Sequence, residues 1–91
     1  MTLGELIKTT DVIGRIHLSV MNGKGEEVER KTIGWTDSLH ESDQYYSGRE
    51  WCYVSDYEDL EVNAIYCNDN GVTIEMNANE YYSLAKSVQK W

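Results

Sequence analysis

The sequence predicts a single α+β domain over residues 1–91, built as an antiparallel sheet of about five strands with an N-terminal and a C-terminal helix packed on one face. Three observations lead to this expectation. Apolar and polar residues alternate in several segments, as they do in half-buried strands. Glycine-containing turns separate some of these segments. Apolar residues at helical spacing occur near both ends of the chain.

The first predicted element is a short helix from Leu3 to Thr9. Thr2 and Glu5 have the spacing of a capping box, in which each side chain accepts a hydrogen bond from the other residue's backbone N–H. A strand is expected next, over residues 11–21, with its polar side, including His17, exposed to solvent. Its predicted buried face consists of Val12, Ile16, Leu18 and Val20.

The segment Asn22–Gly25 predicts a hairpin turn, and the returning strand spans about residues 26–35. Val28 and Ile33 have opposite parities along this strand, so a bulge between them is expected. The following thirteen residues, 36–48, are mostly polar and predict a long loop or an irregular helical turn.

Three strands and a helix complete the predicted fold. The third strand covers about residues 49–54, the fourth covers 60–66, and the fifth follows the turn Asn68–Gly71. Asn77 and Glu80 are spaced as the N-cap of the last helix and its partner. The stripe expected to face the core on this helix is Tyr81, Leu84, Ala85, Val88 and Trp91. Ile74 and Met76 of the fifth strand are expected in the same core.

Negative charge is concentrated in one segment. The chain holds eight Lys and Arg against sixteen Asp and Glu, a net charge of −8. Residues 26–61 hold eleven of the acids and three of the bases, which accounts for the whole excess. Direct nucleic-acid binding and an anionic membrane surface are therefore disfavoured, because both would repel the chain. A basic protein is the expected partner.

The same segment is rich in tyrosine and tryptophan, which give interfaces large contact areas at low entropic cost. Glu27 and Glu29 are expected to project from one side of a strand about 6–7 Å apart, as the start of a row of anions that imitates phosphates. The expected partner-binding residues are Glu27, Glu29, Asp37, Glu41, Asp43, Tyr45, Tyr46, Trp51, Asp56, Tyr57, Glu58 and Asp59. The alternative is that these acids form ordinary solvated loops and that some of the tyrosines fill the core.

The residue pattern predicts no enzyme, no metal site and no cofactor. The possible soft ligands, His17, His40, Cys52 and Cys67, lack the close pairs of zinc sites. The cysteines are expected to be free, mostly buried thiols in the cytoplasm, where a disulfide between them would be reduced. No segment is long and apolar enough to span a bilayer. A secretory signal is also absent from the pattern of the first residues.

The helix over residues 2–9 that opens onto a strand, together with the acidic and aromatic segment 26–61, resembles anti-CRISPR proteins in composition and layout. These are small inhibitors encoded by phages and mobile elements. The resemblance implies an inhibitor that occupies a nucleic-acid site on a Cas nuclease or a similar effector. An immunity protein or antitoxin would use the same physics. A third possibility is an accessory interaction module of a mobile element with no inhibitory role.

Overall fold

The computed structural model describes residues 1–47 and 50–89, which form an α+β fold made mostly of strands. Its elements are α1 (Leu3–Thr9), β1 (Gly14–Met21), β2 (Glu27–Thr36), β3 (Gln44–Ser47), β4 (Glu50–Tyr53), a 3-10 turn (Val54–Asp56), β5 (Glu61–Asn68), β6 (Gly71–Asn77) and α2 (Glu80–Gln89). Within these ranges, no helix is long and apolar enough to cross a membrane. The α+β class is therefore confirmed, while the arrangement of the strands differs from the expected one.

The capping box at the start of α1 is confirmed. Thr2 Oγ1 accepts a hydrogen bond from the Glu5 N–H, and Glu5 Oε1 accepts one from the Thr2 N–H, both at 3.2 Å. The backbone of the first turn then packs on the loop before β5, where the Gly4 N–H donates to the Glu58 carbonyl at 2.9 Å. A Cβ at Gly4 would lie 3.1 Å from that carbonyl oxygen, so glycine permits this close approach. The helix is thereby held against residues 58–60.

The main sheet has four strands in the order β2-β1-β6-β5 and is mixed, not antiparallel as expected. β1 lies in the centre, antiparallel to β2 and parallel to β6, with Leu18 beside Ile74 and Val20 beside Met76. Residue alternation identifies which face of a strand is buried, but it does not identify the neighbouring strand or its direction. The parallel pair was for that reason not predicted.

The segment expected as a loop contains a strand. β3 pairs with β4 as a separate two-stranded antiparallel sheet, in which Tyr45 lies opposite Cys52 and Tyr46 opposite Trp51. A four-residue strand with one partner carries too little alternation to be separated from a polar loop by pattern alone. The expected five-stranded sheet is therefore a four-stranded sheet with a two-stranded hairpin beside it.

The core contains the expected residues of β1 and β6. Ile16, Leu18, Val20, Ile74 and Met76 are fully buried and share one cluster with Leu3, Leu6 and Ile7 of α1. Val12 packs against this cluster while remaining partly exposed.

The side of α2 that faces the core differs from the expected one. Leu84 is 61% exposed and Tyr81 is 78% exposed, while Tyr82 is buried. The helix is capped by Asn79, whose Oδ1 accepts from the Tyr82 N–H at 2.7 Å, and Asn77 ends β6 instead of capping the helix. The side chains of residues 85–91, including Val88, lie outside the described residues.

His17 and Ser19 on the polar side of β1 are buried, contrary to the expectation, while Arg15 on the same side is exposed. His17 Nδ1 lies 2.9 Å from Thr32 Oγ1, and Nε2 lies 2.8 Å from the Asn70 carbonyl oxygen. Because a carbonyl only accepts, Nε2 carries the proton. Ser19 donates to Glu27 Oε2 at 2.7 Å. Long side chains of the outer strands fold over the small ones of the central strands, so these buried polar groups have partners.

Candidate protein-binding surface

A bulge in β2 separates the two glutamates that were expected to project together. Glu29 pairs with Val20 and Glu27 pairs with the next residue, Met21, so Val28 is the additional residue in β2. Since one extra residue reverses the facing of all that follow, Glu27 and Glu29 lie on opposite faces of the sheet. Glu27 accepts from Arg30 Nε at 3.1 Å and from Ser19 on the polar face. The expected row of anions along β2 does not form.

Glu29 instead belongs to a polar cluster at the edge of the core, with Tyr57, Tyr82 and Cys52. The Tyr82 hydroxyl donates to Glu29 Oε2. Burial, followed by the nearby Glu29 charge, raises the pKa of the Tyr57 hydroxyl, and burial with the Glu29 hydrogen bond raises that of Tyr82. Tyr57 is buried, which corrects its assignment to a partner-binding surface. Glu29 and Tyr82 connect β2 to α2.

Carboxylates gather instead around α1, in a surface that we call the acidic groove. It consists of two adjoining depressions that share Lys8 and Glu41. One depression is lined by Glu5, Glu58 and Asp59, and the other by Asp11 and Asp43 with His40 between the loops. The groove lining therefore contains six acidic residues and one lysine, Lys8.

Hydrogen bonds hold several of these acids in place. Lys8 Nζ lies 3.4 Å from Glu41 Oε2. Asp11 Oδ1 accepts from Ser38 Oγ at 3.2 Å, and Asp43 Oδ2 accepts from the Tyr45 hydroxyl at 3.2 Å. The first of these two bonds connects the segment after α1 with the loop before β3, and the second holds the Asp43 carboxylate at the start of β3.

Four of the twelve expected residues lie in the acidic groove, namely Glu41, Asp43, Glu58 and Asp59. Asp37 lies outside the groove and accepts from Trp35 Nε1 at 3.3 Å, and Asp56 is exposed on the 3-10 turn. Glu5 and Asp11 were missed, because they lie outside the acidic segment in sequence. The capping box located Glu5 on the first turn of α1, but no local signal shows that this turn contacts residues 58–59.

The hairpin β3–β4 presents an aromatic face, made of Tyr46, Trp51 and Tyr53. Tyr46 and Trp51 are opposite each other, and their rings make an edge-to-face contact with centroids 5.2 Å apart. They are 58% and 52% exposed. Tyr45 has the other parity and packs against the core beside Cys52, so the expectation of an exposed Tyr45 is only partly met.

The acidic groove and the hairpin are connected at Asp43. Asp43 lines the groove, and its carbonyl accepts from the Val54 N–H at 3.1 Å at the base of the hairpin. Gln44 and Tyr53 form the next pair. Asp43 is thus the point at which the groove lining meets the base of the hairpin.

The described residues contain no group of three or more His, Cys, Asp and Glu arranged to hold a metal ion. Both cysteines are free, but only Cys52 is buried, so the expectation of two mostly buried thiols was wrong for Cys67. Burial raises the pKa of the Cys52 thiol to about 11, which keeps it protonated near neutral pH.

No family model, curated protein or solved structure matches the chain. Function is therefore inferred from the geometry and the charge of the surface.

Proposed function

We propose that this chain binds a basic surface of another protein, of the kind that nucleases and nucleic-acid-binding complexes present, and blocks it. The observation that supports this proposal is the acidic groove, whose lining holds six acidic residues and one lysine, together with the exposed aromatic face of the hairpin. Such a surface offers a partner the negative charge of a nucleic acid without its bases.

Lys8 balances only one of the six negative charges in the groove lining. Lys8 and Glu41 form an exposed pair, with side chains 66% and 41% accessible, and such pairs contribute about 0–1 kcal/mol. The remaining carboxylates keep a negative potential that attracts a basic partner over a distance of about one Debye length.

The two parts of the surface have different roles in the proposed complex. Carboxylates at the groove increase the rate of association and orient the partner. Tyr46 and Trp51 supply rigid aromatic area, which determines how long the complex persists once water is excluded. Arginine side chains of the partner would interact favourably with these rings as well as with the carboxylates.

The proposal is tested by charge reversal in the groove. The variant Glu58→Lys with Asp59→Lys is compared with Asp69→Lys with Glu80→Lys, which changes the same charge at two exposed acids outside the groove. A nucleic-acid-binding partner is captured from host lysate, purified and measured by surface plasmon resonance. The groove variant is expected to slow association by about tenfold or more, and the effect should shrink with salt.

A third variant separates the aromatic face from the groove. Trp51→Ala is expected to accelerate dissociation and to leave the association rate nearly unchanged. The partner's own DNA or RNA should compete with the wild-type chain. The proposal is wrong if the partner binds both charge-reversed variants equally well, or if nucleic acid and the chain bind it simultaneously.

A further inference from the structure

The two edges of the four-stranded sheet differ in the way they are protected. At one edge, β2 carries the charged run Glu29-Arg30-Lys31 and also lies next to β3. At the other edge, β5 has no charged residue from Val62 to Asn68. Natural proteins place charges, bulges or covering segments on edge strands, because an open, uncharged edge pairs with other strands. By this criterion, β5 is the edge of the sheet that is open to pairing within the described residues.

Only the beginning of β5 has such protection within the described residues. The Val62 N–H donates to the Met1 carbonyl at 2.8 Å, Thr2 forms a bridge with Glu61, and a register shift falls at Asn63. From Ala64 to Asn68 the pairing with β6 is regular. In this stretch Ile65 is 50% exposed, Tyr66 is 43% exposed, and Cys67 is exposed.

The turn between β5 and β6 shows which backbone groups point away from the sheet. Asn68 and Gly71 are paired across a two-residue turn, so they are the hydrogen-bonded pair that closes the hairpin. Antiparallel pairs alternate between bonded and non-bonded, so Tyr66 bonds towards β6. The N–H and C=O groups of Ile65 and Cys67 therefore point outward along the open edge.

We propose that a second copy of this chain pairs with β5, antiparallel and about a twofold axis, and joins the two sheets into one of eight strands. The axis passes beside Tyr66. Ile65 of one copy then lies opposite Cys67 of the other, and the two residues exchange both backbone hydrogen bonds, twice across the axis.

Charge limits where two copies of this chain can meet. Two molecules of net charge −8 repel each other, so they approach most favourably along a strand without charge. A basic partner is attracted to the acidic groove and gains no electrostatic energy at this strand. In the twofold arrangement, half-exposed Ile65 packs on Cys67 of the second copy and the two Tyr66 side chains lie on the same face.

The contact is small, so the dimer is reversible. A strand pair of this length buries less than the roughly 800 Å² per partner of a standard stable interface. The monomer and dimer should therefore interconvert with concentration.

Sedimentation equilibrium of the purified chain tests the proposal. The mean mass is expected to rise from 10.5 kDa towards about 21 kDa with increasing concentration. Ile65→Lys should keep the chain monomeric, whereas Val28→Lys should not, although Val28 is equally exposed at 52% on the opposite edge strand. Circular dichroism establishes that both variants are folded. A mass of one chain at every concentration overturns the proposal, even if Ile65→Lys weakens binding to another protein, since the edge would then take that protein's strand.

Disulfide trapping tests the register and does not depend on the lysine variant. In a Cys67→Ser background, Tyr66→Cys places two thiols in directly opposite, non-hydrogen-bonded positions, where Cα atoms are about 4.5 Å apart. It should form a linked dimer rapidly under mild oxidation. Ile65→Cys in the same background should link much more slowly, because position 65 of one chain lies two residues away from position 65 of the other along the paired strands. Equal or faster linking by Ile65→Cys would overturn the assigned register.

Discussion

The two cysteines of this small protein lie in very different environments. Cys52 is buried and its thiol has a pKa raised to about 11, while Cys67 is exposed on β5. The thiolate attacks a thiol reagent and must be accessible to it, so Cys67 should react rapidly and Cys52 only after unfolding. Titration of the dilute native protein is expected to give one fast thiol per chain. Cys67→Ser should give none, and two fast thiols in the wild type would contradict the placement of Cys52.

The polar cluster around Glu29 predicts a loss of stability in alkali. Burial raises the pKa of the Tyr57 and Tyr82 hydroxyls in the folded state above the ordinary value of about 10. Above that pH the unfolded chain loses phenolic protons that the folded chain retains. The stabilisation is therefore complete below about pH 10 and declines as pH rises towards the folded-state values.

Urea unfolding between pH 8 and 11 measures this decline, and Tyr82→Phe serves as the comparison. The variant loses the hydrogen bond to Glu29 at every pH, so it is less stable throughout. Its free energy of unfolding should fall less steeply above pH 10 than that of the wild type, because one titrating group is gone. Both proteins contain Cys52, so its contribution to the pH dependence of unfolding is the same in the two curves. Parallel curves would show that Tyr82 is not responsible for any of the alkaline slope.

At the scale of elements, the turn into β6 depends on one glycine. Gly71 has φ +123°, and a Cβ there would lie 2.3 Å from the Arg15 carbonyl oxygen of β1. Gly25, in the turn between β1 and β2, has φ +80° with open space around it. Gly25→Ala should lower the free energy of unfolding by about 1–2 kcal/mol, because alanine is strained in a left-handed backbone conformation. Gly71→Ala should cost more than about 3 kcal/mol, because backbone must also move. Urea unfolding gives both values, and equal losses would contradict the close approach of β1 and β6.

Elements with a complete local signal were predicted from the sequence. The capping box defines the start of α1, and period-two alternation identifies β1 and β6. The parallel pairing of β1 with β6, the strand Gln44–Ser47 and the facing of α2 depend on tertiary contacts. The burial of His17 is an example, since Thr32 of β2 and the turn at Asn70 cover it, which its own segment does not reveal.

The candidate surface was predicted in composition but not in arrangement. The acidic segment includes four acids of the groove, while the bulge at Val28 turns Glu29 towards the core. Glu5 and Asp11 join the groove because α1 lies against two loops that are distant in sequence. A bulge was expected between Val28 and Ile33, but the pairing is regular there and the extra residue is Val28 itself, which reverses the facing of Glu27 relative to Glu29.

At the scale of the whole molecule, opposing electrostatic effects determine how salt acts on stability. Ion pairs such as Lys8–Glu41 and Lys31–Glu50 favour folding and are weakened by salt. Repulsion among sixteen acids, with eight bases, opposes folding and is also weakened by salt. Each pair has at least one well-exposed partner, so the pairs contribute little, and relief of repulsion should dominate.

The free energy of unfolding should therefore increase between 0.01 M and 0.15 M NaCl, as the Debye length falls from about 30 Å to about 8 Å.

The acidic groove is where this repulsion is most concentrated. Glu58→Gln with Asp59→Asn should stabilise the protein at low salt by up to about 1 kcal/mol and should reduce the salt dependence. Asp69→Asn with Glu80→Gln removes the same charge outside the groove and should have a smaller effect. Urea unfolding at the two salt concentrations gives all three comparisons. A decrease in stability with salt would mean that the ion pairs outweigh the repulsion, and equal effects of the two double variants would mean that the groove is not the centre of the negative potential.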